Sequence, residues 1–270
     1  MPEDRKDAVL KFWDNASCGE ELYFEGDNEK EKFENQSRIR YELEPFITEF
    51  AGFHLARGKK VLEIGVGLGA DHQKFAENGA ILYGCDLSPR AIANTSRRME
   101  LFELSSSIQV ADSENLPYPS SFFNVVYSYG VIHHTPDTEQ ALREIYRVLK
   151  PGGEARIMIY HKYSVLGYML WARYGLLNFR PFISMNEVYD KYMESPGTKA
   201  FTKEEAKKMC KDFRDIKIDV VLSHADLLAS NAGQRHRGFL LTIAKKIYPR
   251  KLVRNIFRNN GLFMMIHLTK

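Results

Sequence analysis

The sequence predicts an α/β protein built on a mostly parallel sheet with helices on both faces. Three observations carry this. Between residues 59 and 160 short apolar runs alternate with helical periodicities, which is the pattern of strands joined by crossover helices. A glycine-rich turn, GVGLG (65–69), stands between the first run and the first helix. The whole chain of 270 residues, 44% hydrophobic and 27% charged, has an ordinary globular composition and the length of one large domain with embellishments.

Residues 1–27 show no clear period and read as irregular, anchored by Phe12, Trp13, Tyr23 and Phe24. Residues 28–56 read as helical, apolar at Ile39, Leu43, Phe46, Ile47 and Phe50 with spacings of 3 and 4. KVLEI (60–64) is a strand closed by the glycine turn, 70–78 a helix ended by Gly79, and 81–85 a second strand. The helix over 88–104 has Ser88 as N-cap and Pro89 at its first position. Strands follow at 107–110 and at 122–128 (FFNVVYS). A helix over 136–149 stops at Pro151-Gly152-Gly153, and 155–160 is a fifth strand. Residues 161–200 break the rhythm with many aromatics, Pro181 and Pro196, and read as an inserted lid of short helices. Thr202 and Glu205 form a capping box for a helix over 202–211, and 216–222 is a sixth strand. Of two candidates for the last strand, 239–244 and 262–268, the second is the more compact apolar run, leaving 224–260 as a second insertion with basic helices. The expected organisation is a helical cover over 1–56, a core over 57–160, the lid over 161–200, and a sheet completion over 201–270.

Charge is segregated. The 38 Lys and Arg against 35 Asp and Glu give +3, yet residues 227–270 hold nine Lys or Arg and no acid. That basic stretch reads as a solvated helical face, with a homodimer contact as one use of it, an attractor of anionic substrate or membrane, or a nucleic-acid contact. Cys18, Cys85 and Cys210 form no CxxC pair, so neither a disulfide framework nor a metal site is expected and a reduced cytoplasmic setting follows. The start, MPEDRKDAVLKFWD, shows no apolar signal core. The longest apolar stretch, 165–177, includes Arg173 and falls short of the roughly 20 residues that span a bilayer.

In a parallel sheet, ligands bind outside the carboxyl ends of the strands where the strand order reverses. The candidate chemistry therefore follows Ile64, Cys85, Val110, Ser128 and Tyr160. Glycines at 65, 67 and 69 let a ligand lie against backbone amides at a helix N-terminus, and Asp86, 21 residues past Gly65, suits a ribose. These two features fit a dinucleotide and a nucleoside equally. Glu63 at the strand end disfavours a pyrophosphate and suits a ligand with nearby positive charge. The acidic loop Asp112-Ser113-Glu114 can accept from an adenine amino group, and the fourth strand runs into Tyr129-Gly130-Val131-Ile132-His133-His134.

The blocks VLEIGVGLG (61–69), GCDLS (84–88), ADSENLP (111–117), GVIHHTPD (130–137) and VLKPGG (148–153) together resemble the small-molecule branch of the class I S-adenosylmethionine-dependent methyltransferases, over about residues 59–160. The resemblance implies a Rossmann-like seven-stranded sheet with an antiparallel last strand. It implies that Glu63, Gly65, Gly67 and Gly69 hold the methionine moiety of S-adenosylmethionine, that Asp86 takes the ribose hydroxyls, and that Leu87 packs on the adenine. Asp112 would accept from the adenine amino group, with Ser113 and Glu114 beside it, and Tyr129 would line the methionine end.

Methyl transfer from a sulfonium is an in-line displacement in which the protein mainly aligns the reactants. An acceptor that must lose a proton gains from a base. His133 and His134 sit at the fourth strand's carboxyl end, where an imidazole can serve. Alternation lets one of them face the acceptor, and His133 is preferred over a framework role for both. Tyr160 and His161 end the fifth strand and are substrate-side candidates, as are Trp13 and Tyr23 from the other side. The expected acceptor is a small, partly apolar molecule, a metabolite or natural product, methylated at oxygen, with carbon or nitrogen as alternatives. Nucleic-acid amino methylation is disfavoured, because Tyr127-Ser128-Tyr129-Gly130 stands where an (N/D/S)PPY turn would be. The rivals outside this reading are an NAD(P)-dependent oxidoreductase and an inactive scaffold.

Overall fold

The structure, a computed structural model, describes residues 2–17, 20–193, 195–230 and 245–270. Cys18 and the alternative last strand at 239–244 lie outside the described residues. Seven strands form one sheet: β1 (Lys60–Ile64), β2 (Ile81–Asp86), β3 (Ser107–Val110), β4 (Phe123–Tyr129), β5 (Leu149–Tyr160), β6 (Asp215–Val221) and β7 (Phe263–Thr269), in the order β3-β2-β1-β4-β5-β7-β6. Strands β1 to β5 pair in parallel, while β7 runs antiparallel between β5 and β6. The order reverses between β1 and β4, so the crevice for a ligand opens there.

Side-chain alternation splits the core. Leu62, Ile64 and Val126 pack on one face with Leu142 and Ile145 of the helix Thr138–Val148. Val61, Val125 and Tyr127 pack on the other with Phe75 and Phe50. Two caps form as the sequence predicts: Ser88 accepts from the Ala91 amide, and Thr202 with Glu205 closes a capping box. A third was not foreseen: Asp137 accepts from the Gln140 amide, so the helix expected from 136 starts at Thr138.

Three expectations need correction. Residues 2–15 are not irregular: they form α1 (Pro2–Asn15), whose charges blur the apolar period while Val9, Leu10 and Trp13 turn inward. The helical reading of 28–56 splits into α3 (Glu29–Leu43), after a short α2 (Glu20–Tyr23), and α4 (Ile47–Ala51); Pro45 cannot continue a helix. β5 starts at Leu149 rather than 155, with Pro151-Gly152-Gly153 inside it at a register shift opposite Phe123 and Val125. The remaining helices are α5 (Ala70–Glu77), α6 (Pro89–Leu101), α7 (Thr138–Val148), α8 (Val165–Tyr174), α9 (Met185–Tyr192), α10 (Lys203–Met209) and α11 (Arg250–Ile256).

One buried cation fastens the N-terminal helices to the sheet. Arg98 of α6 is 0% exposed. Its guanidinium donates to Gln73 Oε1 at 2.7 Å, Gln36 Oε1 at 2.9 Å, the Leu68 carbonyl at 2.8 Å and the Phe33 carbonyl at 2.9 Å, and also to the Ser37 hydroxyl. Burial pulls its pKa down to about 10. Five donors thus stitch α3, α5 and the glycine turn together with neutral acceptors. Arg98→Ala should cost about 3 kcal/mol or more, because the Phe33 and Leu68 carbonyls lose their partners in a dry site. Chemical denaturation measures this, and a loss below about 1 kcal/mol would contradict the assignment.

Candidate active site

A cleft with a cavity volume of about 160 Å3, partly open to solvent, lies at the carboxyl ends of β1, β2 and β4. Its floor is Ile64, Gly65 and Gly67, one side is Asp86, Leu87, Ser88, Asp112 and Ser113, the other is Tyr129, Gly130, Val131 and His134, and α1 closes it with Lys6, Val9, Leu10 and Trp13.

The glycine turn is built for close approach. Gly65 has φ +82° and Gly67 φ +54°, in the region that side chains resist. A Cβ on Gly65 would fall 2.1 Å from Val131 Cγ2, whereas one on Gly67 would stand in open space. Gly65 is therefore fixed by packing, and Gly67 keeps the cleft floor low. The Gly67 amide donates to Asp86 Oδ2 at 3.1 Å and the Ser88 amide to Oδ1 at 2.9 Å. Burial pushes the Asp86 carboxyl up, and the amides of Ser88, Gly67 and Leu87 pull it back. Gly69 caps α5 against Thr95 and Arg98, away from the cleft wall.

Glu63 does not line the cleft. It turns to the α5 side, where Oε2 lies 2.8 Å from His72 Nδ1. The Ser106 hydroxyl donates to the Leu82 carbonyl and so accepts from His72 Nε2, 2.7 Å away. In neutral His72, pushed down to about 3 by burial, Nδ1 is then the acceptor, and the proton in that bond belongs to Glu63. Burial, with Asp71 and Asp86 nearby, raises the Glu63 carboxyl in agreement. Glu63 thus braces the strand end from below.

The acidic loop is already engaged. Lys6 of α1 donates to Asp112 Oδ2 at 2.5 Å and to Glu114 Oε2 at 2.7 Å. Glu114 also accepts from the Asp137 amide at 2.7 Å, which ties it to the start of α7 rather than the cleft wall. Asp14 Oδ1 accepts from the Ser88 hydroxyl at 2.6 Å and the Arg90 amide at 3.2 Å, and Glu20 pairs with Arg90. Helix α1 is therefore held over the cleft at both ends by polar contacts. Behind the cleft, Asp71 accepts from Arg40 Nη2 at 2.6 Å, Tyr41 Oη at 2.9 Å and Tyr127 Oη at 2.8 Å. Arg40 lies 5.0 Å over the Tyr129 ring and holds that wall. Neither α1 nor the Arg40–Asp71 pair was readable in advance, since charged helices without an apolar stripe look solvated.

The two histidines differ from expectation. His134 lines the cleft; its Nδ1 is 2.8 Å from Ser195 Oγ and 3.1 Å from Thr198 Oγ1, its ring meets Trp13 at 5.2 Å, and Nε2 has no partner among the described residues. Burial and Lys199 push it down to about 3. His133, preferred from sequence as the base, points away: it is 0% exposed, packs 4.0 Å from the Tyr160 ring, and has neither nitrogen partnered among the described residues. One histidine does face the cleft, and it is the second; both lie in the turn after β4, which ends at Tyr129, so strand alternation does not decide it. Tyr160 packs in the core, stacked on Phe263, and His161 Nδ1 lies 3.3 Å from the Gly261 carbonyl. Neither they nor Tyr23 belong to the cleft wall. Cys85, in β2, is fully buried in the core. Residues 161–200 supply no wall residue among those described; Ser195, Thr198 and Lys199 act one layer back.

A buried neutral histidine makes acid unfolding easier. Its folded pKa lies below the unfolded value of about 6.5, so only the unfolded chain gains a proton there, and stability falls as pH drops through that value. Burial holds His133 well below its ordinary value, and among the described residues no hydrogen bond repays it. His133→Phe should melt no lower than the parent near neutral pH and lose less stability on acidification. A variant that unfolds near neutral pH would show that the imidazole is required.

The comparisons agree with this geometry. Residues 62–157 match the family model described as a methyltransferase domain. Phosphoethanolamine N-methyltransferase 3 of Arabidopsis thaliana is 30% identical over 165 residues, 56% of this chain and 34% of that protein. The 27-O-demethylrifamycin SV methyltransferase of Amycolatopsis mediterranei is 31% identical over 102 residues, 37% of this chain and 38% of that protein. The chain thus spans well under two thirds of the length of these curated relatives. Among solved structures, the Haemonchus contortus phosphoethanolamine N-methyltransferase 2 superposes with a TM-score of 0.59 at 19% identity, over 97% of this chain and 60% of that one, which is a likeness of fold. The strand order and the glycine turn beside Asp86 agree with the domain match, so residues 62–157 are similar to a methyltransferase domain, carried on a Rossmann-like sheet.

Proposed function

We propose that this chain methylates a small organic acceptor, using S-adenosylmethionine held in the cleft between β1, β2 and β4. The observation that carries the reading is Asp86, fixed by the Gly67 and Ser88 amides at the point where strand order reverses. Its carboxylate suits paired ribose hydroxyls, Leu87 offers an apolar face to an adenine, Asp112 and Ser113 border that end, and Gly65, Gly67, Tyr129 and Gly130 border the methionine end. S-adenosylmethionine, when bound, supplies a methyl group already activated on a sulfonium. The chain's own work is alignment and exclusion of water, done by the glycine floor and by α1 with Trp13 and Leu10.

The acceptor atom we propose is oxygen. His134 lines the cleft, and its Nε2 is buried and unpartnered among the described residues; on this reading an acceptor hydroxyl seated there donates to it. Nitrogen is the second reading, favoured by the same residue: an imidazole pushed down to about 3 is a poor proton sink, and a neutral amine needs none to attack. The curated relatives, by their names, include both kinds. We propose further that residues 161–200 complete the acceptor side from behind His134, through Ser195 and Thr198.

Asp86→Ala should weaken S-adenosylhomocysteine binding by about tenfold or more, the worth of hydrogen bonds to a charged group, with NADH giving no heat in either protein. Titration calorimetry reads both. Unchanged affinity would remove Asp86 from the site, and binding of NADH in preference would replace this reading with a redox one.

A further inference from the structure

Two segments of the sequence carry a composition that the cleft does not use. Residues 161–186 hold Lys162, Arg173 and Arg180 and no acid, and residues 227–270 hold nine Lys or Arg and no acid. Together they contain twelve of the 38 basic residues and none of the 35 acidic ones. The same segments display most of the chain's exposed apolar bulk. Ten of the thirteen large hydrophobic side chains exposed among the described residues fall in them, including Leu177 at 73%, Phe179 at 95%, Phe182 at 98% and Ile247 at 78%. Phe179 is held at φ +56°, a conformation that a bulky residue resists, with its ring in water.

The segments meet. The Val165 amide donates to the Asn260 carbonyl at 2.9 Å, and Asn260 Nδ2 to the Tyr163 carbonyl at 3.5 Å. Buried Asp226 accepts from the Leu166 amide at 2.9 Å and the Leu262 amide at 2.7 Å, while its carbonyl accepts from Tyr248 Oη at 2.8 Å. The start of α8 and the chain leading into α11 are thus pinned at one point. On α11 and beyond it, Lys251, Arg254 and Arg258 pair with no carboxylate among the described residues, and Leu252 and Ile256 are exposed beside them.

We propose that this joint surface docks the protein on an anionic lipid bilayer, with Phe179 and Phe182 entering the interface and Lys251, Arg254 and Arg258 on the headgroups. On the α8 side Lys162 and Arg180 are already paired with Glu205 and Glu187, so the unpaired charge lies on and beyond α11. Scattered exposed apolar residues need no partner, but Leu252 and Ile256 beside unpaired Lys251, Arg254 and Arg258 do. A bilayer with anionic headgroups satisfies both at once. A second copy of the chain would set these cations against their own images, and a nucleic acid would leave Leu177, Ile247 and Ile256 with nothing to stack on. The surface lies outside the cleft, so the proposal stands apart from the methyl-transfer reading.

Co-sedimentation of the full chain with vesicles tests it. Binding is expected to vesicles of phosphatidylcholine mixed with phosphatidylglycerol, on the order of tenfold weaker to phosphatidylcholine alone, and weaker in high salt. The Phe179→Ser/Phe182→Ser double variant and the Lys251→Glu/Arg254→Glu double variant should each lose binding by a similar factor, with melting temperature and S-adenosylhomocysteine affinity unchanged. No binding to anionic vesicles, or either double variant binding like the parent, overturns the proposal. So does tighter binding to single-stranded RNA than to vesicles, or self-association that the Phe variant abolishes. A chain that binds vesicles but no S-adenosylhomocysteine would refute the cleft assignment and leave this one standing.

Discussion

The Gly67 amide reaches across 3.1 Å to the Asp86 carboxylate, and the cleft depends on that bond. It joins the turn after β1 to the end of β2, so the floor and the acidic side of the cleft move as one. The bond needs a backbone at φ +54° with no side chain above it, which only glycine adopts without strain. It also needs the central position of β1, flanked by β2 and β4, which points both loops at one space. The anion beneath a nucleoside is thus oriented before any ligand arrives, and the ordering cost at binding is lowered accordingly.

Around that bond the protein is assembled from outside inward by buried charges. Arg98 reads carbonyls of α3 and of the glycine turn, and Arg40 clamps Asp71 at the start of α5. Such groups are costly to bury and costly to leave unpaired, so they fix one arrangement of the N-terminal helices. Helix α1 is attached differently, through Lys6 and Asp14 at partly exposed edges. Contacts of that kind are weak and screened by salt. The molecule therefore combines a rigid floor with a cover that rests on it by polar contacts, and the same loop that would meet an adenine is the one that Lys6 holds.

Much of the sheet was legible because a strand in a parallel sheet announces itself by a short apolar run between turn residues. KVLEI and SIQV match their predicted bounds, and the ends of the others fall within two residues except at β5, whose early start carries a proline and two glycines through a register shift. The capping residues Ser88, Thr202 and Glu205 were equally plain, being local chemistry. Of the candidate site, Gly65, Gly67, Asp86, Leu87, Asp112, Ser113, Tyr129, His134 and Trp13 stand in the cleft wall. What escaped was anything decided by packing at a distance. Which of two adjacent histidines faces inward is set by the turn that follows β4, where the His134 amide donates to the Val131 carbonyl, and not by strand alternation. Glu63 turned toward His72 because Gly84 leaves room there, a Cβ on Gly84 falling 2.7 Å from the His72 ring. Helix α1 carries its apolar residues among charges and has no stripe to read.

The most direct measurement of the central claim is a crystal structure of the chain with S-adenosylhomocysteine. The account predicts the nucleoside between β1, β2 and β4, its ribose hydroxyls on Asp86 and its adenine between Leu87 and the Asp112 loop, with α1 displaced or reseated over it. A nucleoside bound elsewhere, or a cleft that stays closed by Lys6 and Trp13 at saturating ligand, would contradict it.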